Sequence, residues 1–183
     1  MKNEVRIIGG ERRSRKITFP SQTDLRPTPD RARETVFNWL GQDLSGKICL
    51  DLFAGSGAMG FEAASRGAER IVMVESDPEI LKALETNSRK LGAKQIEFTA
   101  MDALKFIGSN RQLFDVIFLD PPFRLGLLPK LLSLLPLHLA EDGVVYVEDD
   151  NFLTPGVDWL TWRKGRAGKV CYQLLKSNSG KNG

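Results

Sequence analysis

The sequence contains few of the residues on which disulfide-rich and metal-binding proteins depend. Its 183 residues include only 2 Cys and 1 His. A disulfide framework needs more cysteines, and a zinc site needs a cluster of Cys and His ligands. We therefore expect Cys49 and Cys171 to be buried free thiols, His138 to be structural, and no metal to be bound.

Long apolar runs are missing as well. No stretch approaches the ~20 apolar residues that a membrane-spanning helix requires, and the N-terminal MKNEVRIIGG lacks the apolar core of a signal peptide. Hydrophobic residues make up 42% of the chain and charged residues 27%, as in ordinary globular proteins. These values predict a cytoplasmic protein, monomeric and not bound to membranes, with one main domain.

The net charge of +3 is modest, but its distribution is uneven. Residues 1–33 contain nine Lys and Arg against four Asp and Glu, which leaves the remaining residues slightly acidic. A concentrated basic segment favours a polyanionic partner such as nucleic acid. The alternative is a solvated charge run with no partner. The predicted RNA contacts are Arg12, Arg13, Arg15 and Lys16.

Three regions follow from the pattern of turns and breakers. Residues 1–28 contain two short extended segments around Gly9 and Gly10, followed by a proline-punctuated connector, and are predicted to form a small basic hairpin arm. Residues 29–176 are predicted to form the main domain, beginning with a helix after Asp30. The small polar residues 177–183 are predicted to be a disordered tail.

From residue 47 onward, apolar strands alternate with helical segments. Such repeated units indicate an α/β fold with a mostly parallel sheet covered on both faces. After Asp149 the chain is too short for another full helix, so we expect a loop there. The predicted strands are Ile48–Leu52, Arg70–Glu75, Ile96–Thr99, Val116–Asp120, Gly143–Glu148 and a final antiparallel pair, and the predicted helices are Ala58–Arg66, Pro78–Leu91, Ala103–Ile107 and Leu125–Leu139.

The first motif that carries chemistry is DLFAGSGAMG, residues 51–60. Gly55, Gly57 and Gly60 form a GxGxxG between a strand and a helix, which is also typical of dinucleotide-binding turns. Asp51 separates the two interpretations, because a carboxylate repels a pyrophosphate but attracts a cation. S-adenosylmethionine carries an ammonium and a sulfonium and no phosphate. The motif therefore favours a methyl donor over a nicotinamide cofactor.

Two further strand ends are expected to contact the same ligand. Glu75 ends the second predicted strand, about twenty residues past the loop, where a carboxylate can accept both ribose hydroxyls. Asp102 and Ala103 follow the third strand and are placed to contact the adenine. Glu75 could instead face solvent, and Asp102 could be only a helix N-cap.

The second motif is DPPF, Asp120–Phe123, at the end of a buried strand. Pro121 and Pro122 have fixed φ and no amide protons, so the Pro121 carbonyl and the Asp120 carboxylate can both accept protons from one amino group. Phe123 offers a face for stacking a base. Two acceptors localise the lone pair of an amine conjugated to a ring, so this motif predicts methyl transfer to an exocyclic amino nitrogen by positioning and electrostatics.

With the segments RIIGGERRSRK and LRPTPDRARETVFNWL, these motifs make nearly the whole chain resemble the bacterial 16S rRNA guanine-N2 methyltransferases that modify guanine 966. The resemblance implies a class I, Rossmann-like methyltransferase fold with a seven-stranded sheet, an N-terminal hairpin that helps to bind RNA, S-adenosylmethionine as donor, and the small ribosomal subunit as substrate. It implies that Asp120–Phe123 hold the guanine, that Asp51, Gly55 and Gly57 bind the methionine end, and that Glu75, Asp102 and Ala103 bind the adenosine. Arg26, Thr28 and Arg31 fall in the N-terminal motif without an assigned role.

Other functions remain open at this point. The methyl acceptor could be adenine N6 in DNA or RNA, or a glutamine amide in a protein, although the basic arm disfavours a peptide. From other classes, the chain could be a nicotinamide-dependent oxidoreductase or a noncatalytic RNA-binding module. Asp51 and the DPPF motif count against the oxidoreductase, and Asp120 with the intact glycine loop counts against the noncatalytic module.

Overall fold

The computed structural model describes residues 2–21, 25–122 and 125–178. The main domain contains a seven-stranded sheet, and the N-terminal residues form a separate two-stranded hairpin. This architecture confirms the predicted α/β fold with an N-terminal hairpin. No helix in the described ranges is both long enough and apolar enough to span a membrane.

The hairpin consists of β1 (Lys2–Arg6) and β2 (Lys16–Pro20), which pair in antiparallel register. Val5, Ile7, Ile17 and Phe19 are buried against the main domain. Alternate residues of a strand point to one face, so the hairpin covers the domain with one apolar face and exposes most of its charges. The connector then leads into helix α1 (Asp30–Leu40).

The order of the main sheet is β5-β4-β3-β6-β7-β9-β8, and its first five strands run parallel. The last two strands are antiparallel, as predicted. The strands are β3 (Ile48–Asp51), β4 (Arg70–Glu75), β5 (Ile96–Ala100), β6 (Phe114–Leu119), β7 (Leu139–Asp149), β8 (Trp159–Ala167) and β9 (Val170–Ser177).

Two apolar clusters cover the two faces of this sheet. The hairpin and helices α1, α2 and α3 contribute to one cluster, and helices α4 and α5 contribute to the other. Cys49 and Cys171 are buried free thiols, as predicted. The main-domain helices are α2 (Ala58–Ser65), α3 (Pro78–Leu91), α4 (Ala103–Ser109) and α5 (Leu128–Leu134).

The structure differs from the prediction in the segment between β6 and β7. The predicted helix Leu125–Leu139 is shorter: α5 ends at Leu134, a 3-10 turn covers Leu135–His138, and β7 begins at Leu139. Pro136 explains this, because a proline lacks the N–H that would continue the α-helical ladder. The loop predicted after Asp149 is present, since residues 150–158 contain no helix.

The end of the chain also differs from the predicted tail. β9 includes Ser177, and the backbone N–H of Asn178 donates to Asp158 O at 2.7 Å. The first two tail residues are therefore ordered on the sheet. Residues 179–183 lie outside the described part of the chain.

Candidate active site

The chain places its strand-end acids at one edge of the sheet. β3, β4, β6 and β7 run parallel, so their carboxyl ends meet, and the order reverses between β3 and β6. In open α/β sheets such a reversal opens the crevice in which ligands bind. Asp51 ends β3 and Asp120 directly follows β6, so these two residues flank that crevice.

The glycine-rich loop bends tightly over this edge. Gly55 and Gly57 have φ values of 50° and 82°, in the left-handed region that glycine adopts most readily. A Cβ on Gly57 would lie 2.5 Å from the Phe61 ring, and a Cβ on Gly55 would lie 2.8 Å from Leu25 Cδ1. Both positions therefore favour glycine, and the connector residue Leu25 lies close to the loop at Gly55.

Asp51 is buried under this loop, with 4% of its surface exposed. Its Oδ2 accepts a hydrogen bond from the Gly60 backbone N–H at 3.1 Å. Burial nevertheless raises the pKa of Asp51 to about 8, and the negative charges of Glu75 and Glu148 add to the rise. The carboxyl therefore has no cation in the described protein that offsets its burial.

Glu75 fastens the glycine loop to the end of β4. Its Oε1 accepts from the Gly55 backbone N–H at 3.1 Å, and its Oε2 accepts from the Asp77 N–H at 3.0 Å. Each carboxylate oxygen has a further lone pair, so contact with a ribose is compatible with both bonds. These two hydrogen bonds exclude the alternative that Glu75 only faces solvent.

Asp102 is the N-cap of α4, because its Oδ1 accepts from the Lys105 backbone N–H at 3.1 Å. Ala103 is buried in the first turn of that helix, with 7% exposed. The sequence left open whether Asp102 is a helix N-cap, and the structure shows that it is. Contact of this pair with an adenine stays a prediction.

Asp120 is part of a hydrogen-bonded chain that the sequence did not indicate. Its carboxyl is hydrogen bonded to that of Glu148, and Glu148 Oε1 accepts from the Tyr146 hydroxyl at 2.8 Å. The Thr28 side chain in turn hydrogen bonds to Tyr146. Tyr146 is fully buried and Glu148 is 4% exposed. This series of hydrogen bonds thus links the connector residue Thr28 to the predicted target site at Asp120.

Burial and the charge of Glu148 raise the pKa of Asp120 well above its usual range. Adjacent carboxyls disfavour each other's ionisation, so Asp120 keeps its proton to a higher pH than a free aspartic acid does. Glu148 could have been found from the sequence, since it ends an apolar strand like Asp51 and Glu75. Tyr146 had no comparable signal.

The rest of the DPPF motif is only partly described. Pro121 is buried and Pro122 is exposed, and the Pro122 carbonyl accepts from the Leu125 N–H at 3.1 Å. Phe123 lies outside the described residues, so its stacking role stays a prediction. His138 is 7% exposed and its Nδ1 lies 3.3 Å from Asn110 Nδ2, away from the site residues above.

The four basic residues predicted to bind RNA have different environments. The Arg12 guanidinium donates to the carbonyls of Leu91 and Gly92 at 2.9 and 3.1 Å, which stabilises the C-terminus of α3. Arg13, Arg15 and Lys16 are exposed; Arg15 donates to the Lys90 carbonyl and Lys16 pairs with Glu4. Arg12 thus has a structural contact that the sequence did not indicate.

A buried ion cluster holds the hairpin on the main domain. Glu62, on α2, is fully buried between Arg33 and Arg66, with N···O distances of 3.2 Å to each. The same carboxylate accepts from the backbone N–H groups of Ile8 and Gly9 at 2.9 and 3.0 Å. Because both arginines and both amides satisfy Glu62, the turn of the hairpin has a fixed position over α2.

The tip of the hairpin is fixed by a second set of contacts. The Glu11 N–H donates to Ser65 O at 2.7 Å, and the Ser65 hydroxyl donates to Gly9 O at 2.6 Å. A Cβ on Gly10 would lie 2.0 Å from Ser65 O, and its φ is 78°. The arm is therefore docked closely rather than loosely tethered.

Comparison with known proteins gives consistent matches over almost the whole chain. The model of the family described as Conserved hypothetical protein 95 matches residues 5–176. Ribosomal RNA small subunit methyltransferase D of Escherichia coli is 39% identical over 178 residues, which cover 94% of this chain and 90% of the relative. The homologue from Haemophilus influenzae with the same name is 39% identical over 185 residues, which cover 96% of this chain and 95% of the relative.

Among solved structures, an Escherichia coli methyltransferase superposes with a TM-score of 0.86 at 39% identity, covering 96% of this chain and 98% of that one.

Proposed function

The chain belongs to the family described as Conserved hypothetical protein 95, and we propose that it transfers a methyl group from S-adenosylmethionine to the N2 amino group of a guanine in 16S rRNA of the small ribosomal subunit. Its curated relatives are ribosomal RNA methyltransferases, and we take guanine 966 as the target nucleotide. The observation that carries the proposal is that Asp51 and Asp120, at two neighbouring strand ends, have only acids as charged neighbours among the described residues.

The donor fits this group by charge and by shape. Asp51 has its pKa raised to about 8 and the pKa of Asp120 is raised well above its usual range, and each is raised in part by its acidic neighbours. A cationic ligand relieves this repulsion, whereas a pyrophosphate increases it. Gly55 and Gly57 have positive φ values, so the loop turns tightly at the crevice and its side-chain-free backbone would allow a ligand to approach closely.

Three parts of the chain would hold the donor. Asp51 and the glycine loop would bind its methionine end, Glu75 its ribose, and Asp102 with Ala103 its adenine. When bound, the donor supplies an electrophilic methyl group on a sulfonium. The carboxyls of Asp51 and Asp120, on either side of the crevice, favour that positive charge near the target.

Asp120 and the Pro121 carbonyl would accept the two protons of the guanine amino group. This contact localises the nitrogen lone pair for in-line attack, in which the N–C bond forms as the S–C bond breaks. The methylated nitrogen then carries one proton too many, and the Asp120 carboxylate that faces it would be the adjacent acceptor for that proton. The target base must leave its stack to reach Asp120, and Phe123 would stack against it.

The proposal is tested by methylation of small subunits from cells that lack this protein, with mass mapping of the modified nucleotides. We expect the parent to methylate one guanine at N2 and Asp120→Asn to lower the rate by about 10²–10³-fold, the cost of removing one preorganised electrostatic contact. Asp142→Asn is a matched control, since Asp142 is exposed at the opposite end of β7. Modification of adenine, or an active Asp120→Asn variant, would contradict the proposal.

A further inference from the structure

The last two strands form a second basic surface, which lies far from the hairpin in sequence. Between Trp159 and Ser177 the chain has five Lys and Arg and no Asp or Glu. β8 is the edge strand of the main sheet. The basic residues are Arg163, Lys164, Arg166, Lys169 and Lys176.

Two aromatic rings, Phe152 and Trp162, lie beside these cations. Lys164 Nζ lies 5.0 Å and Arg166 Cζ lies 5.6 Å from the centre of the Phe152 ring, which is 38% exposed. On the other side of the strand, Lys176 Nζ lies 4.0 Å from the Trp162 ring. Basic side chains beside partly exposed rings suit a strand of RNA, because the cations neutralise phosphates and the rings stack on bases.

Both rings, together with Arg163 and Lys164, line an open groove of about 470 Å³. One wall is the loop of Phe152, Leu153 and Thr154, and the other is formed by β8. The loop is held in place by Gln173, which accepts from the Leu153 N–H at 2.7 Å and donates to the Leu153 carbonyl at 3.0 Å. The groove is thus preformed and large enough for a nucleotide-sized group.

The strand register places this groove beside the active site. Leu119 pairs with Val147, Glu148 pairs with Tyr172, and Tyr172 pairs with Gly165. Asp120 is therefore level with Gly165, three strand spacings away, which is about 14 Å. Lys164 and Arg166 flank Gly165. Stacked nucleotides rise about 3.4 Å each, so roughly four nucleotides bridge this distance.

We propose that this surface, which we name the edge-strand groove (Phe152–Thr154 and Trp162–Arg166), binds the rRNA strand that flanks the target guanine. The inference rests on the proposed function and assigns a second RNA contact besides the hairpin. Cations on an edge strand also prevent pairing with another chain. That role alone requires neither the aromatic partners nor the anchored groove wall.

The test compares two double variants of equal charge change. Lys164→Ser/Arg166→Ser removes the two cations beside the Phe152 ring, and Lys47→Ser/Lys94→Ser removes two exposed lysines that precede β3 and β5, outside the groove. Binding of a 16S rRNA transcript is measured between 50 and 200 mM salt. We expect the groove variant to bind about tenfold more weakly and to reduce the magnitude of the salt slope by about 1.4, as for two lost single-strand contacts. The control should change the slope little.

A third variant separates stacking from charge. Phe152→Leu keeps an apolar side chain and removes the ring, so affinity should fall several-fold while the salt slope stays constant. Cofactor affinity should be unchanged in all three variants. Parent-like RNA binding by the groove variant, an equal loss in the control, or self-association of the groove variant in sedimentation would each overturn the inference. If the parent itself fails to methylate rRNA, the proposed function fails instead.

Discussion

Buried carboxylates occur in two contrasting environments in this protein. Glu62 is fully buried, and Arg33, Arg66 and two backbone amides satisfy it. Asp51 is almost as buried, but it accepts from one backbone amide and has acids as its charged neighbours. Neighbouring cations and amides therefore satisfy the charge and the hydrogen-bonding capacity of Glu62. Among the described residues, no cation does the same for Asp51.

This difference separates a structural cluster from a binding site. A buried acid with its own cations stabilises the contact between two parts of the chain, as Glu62 does for the hairpin and α2. A buried acid without one is costly until a ligand supplies the positive charge. The strand-end group is therefore poised for a cationic ligand, and perturbed acids in a crevice are typical of functional sites.

The largest expected effect is on folding stability, when the ion cluster of Glu62, Arg33 and Arg66 is broken. Glu62→Ala removes the buried acid between Arg33 and Arg66, leaving Arg33 only Asp30 as an acidic partner among the described residues, and removes the acceptor of two hairpin amides, so the free energy of unfolding should fall by about 3–5 kcal/mol. Chemical denaturation measures this. Glu69→Ala is the control: Glu69 is exposed, and its loss should change stability by less than about 0.5 kcal/mol. Equal effects of the two variants would contradict the role of the cluster.

The raised pKa of Asp51 predicts that the stability of the protein falls as the pH rises. Acids paired with a cation have lowered pKa values and have the opposite effect on stability. The folded pKa of Asp51 is about 8, against about 3.9 in an unfolded chain. The folded state therefore keeps a proton that the unfolded state has lost. The stabilising contribution is complete below about pH 4 and is lost as the pH rises toward 8.

Asp51→Asn isolates this contribution, because asparagine does not titrate. Between pH 5 and 7 the stability of the parent should fall relative to that of the variant by up to about 1.4 kcal/mol per pH unit. Urea unfolding of both proteins at pH 5, 6 and 7 checks the difference. Parallel stability curves would mean that Asp51 is ionised in the free protein.

The smallest effect is expected at the end of the hydrogen-bonded chain behind Asp120. Tyr146→Phe removes the hydroxyl that donates to Glu148 and should cost about 1 kcal/mol of transition-state stabilisation, or a fivefold lower kcat. Cofactor affinity should stay constant. Tyr172→Phe removes the other phenol of the chain and should leave kcat unchanged. A loss in both variants would indicate a general packing defect.

Capping residues and apolar runs along the sequence were sufficient to predict much of the fold. α3 has the predicted bounds Pro78–Leu91 because its ends are determined by neighbouring residues: Asp77 caps the first turn, and Gly92 adopts φ 63° after the last. β4 likewise matches Arg70–Glu75. The start of β7 was missed, since the helix before it is shortened at Pro136 and the pairing of Leu139 with Phe114 depends on the whole sheet.

The site was predicted where one residue carries its own signal. Asp51, Glu75 and Asp120 each end an apolar strand, and the topology brings parallel strand ends together. The Arg33–Glu62 contact joins residues from separate helices and the Thr28–Tyr146 contact joins the connector to β7. Neither leaves a periodic or spaced pattern, so tertiary structure was needed to find them.

The central claim is that Asp51, at the end of β3, is protonated until a cationic donor binds. Titration calorimetry of S-adenosylmethionine binding at pH 6.5, repeated in buffers of different ionisation enthalpy, counts the protons released. With Asp51 at a pKa of about 8, the parent should release about one proton per donor bound, and Asp51→Asn should bind more weakly and release markedly fewer. Binding by the parent without proton release, or equal release by the variant, would contradict the account.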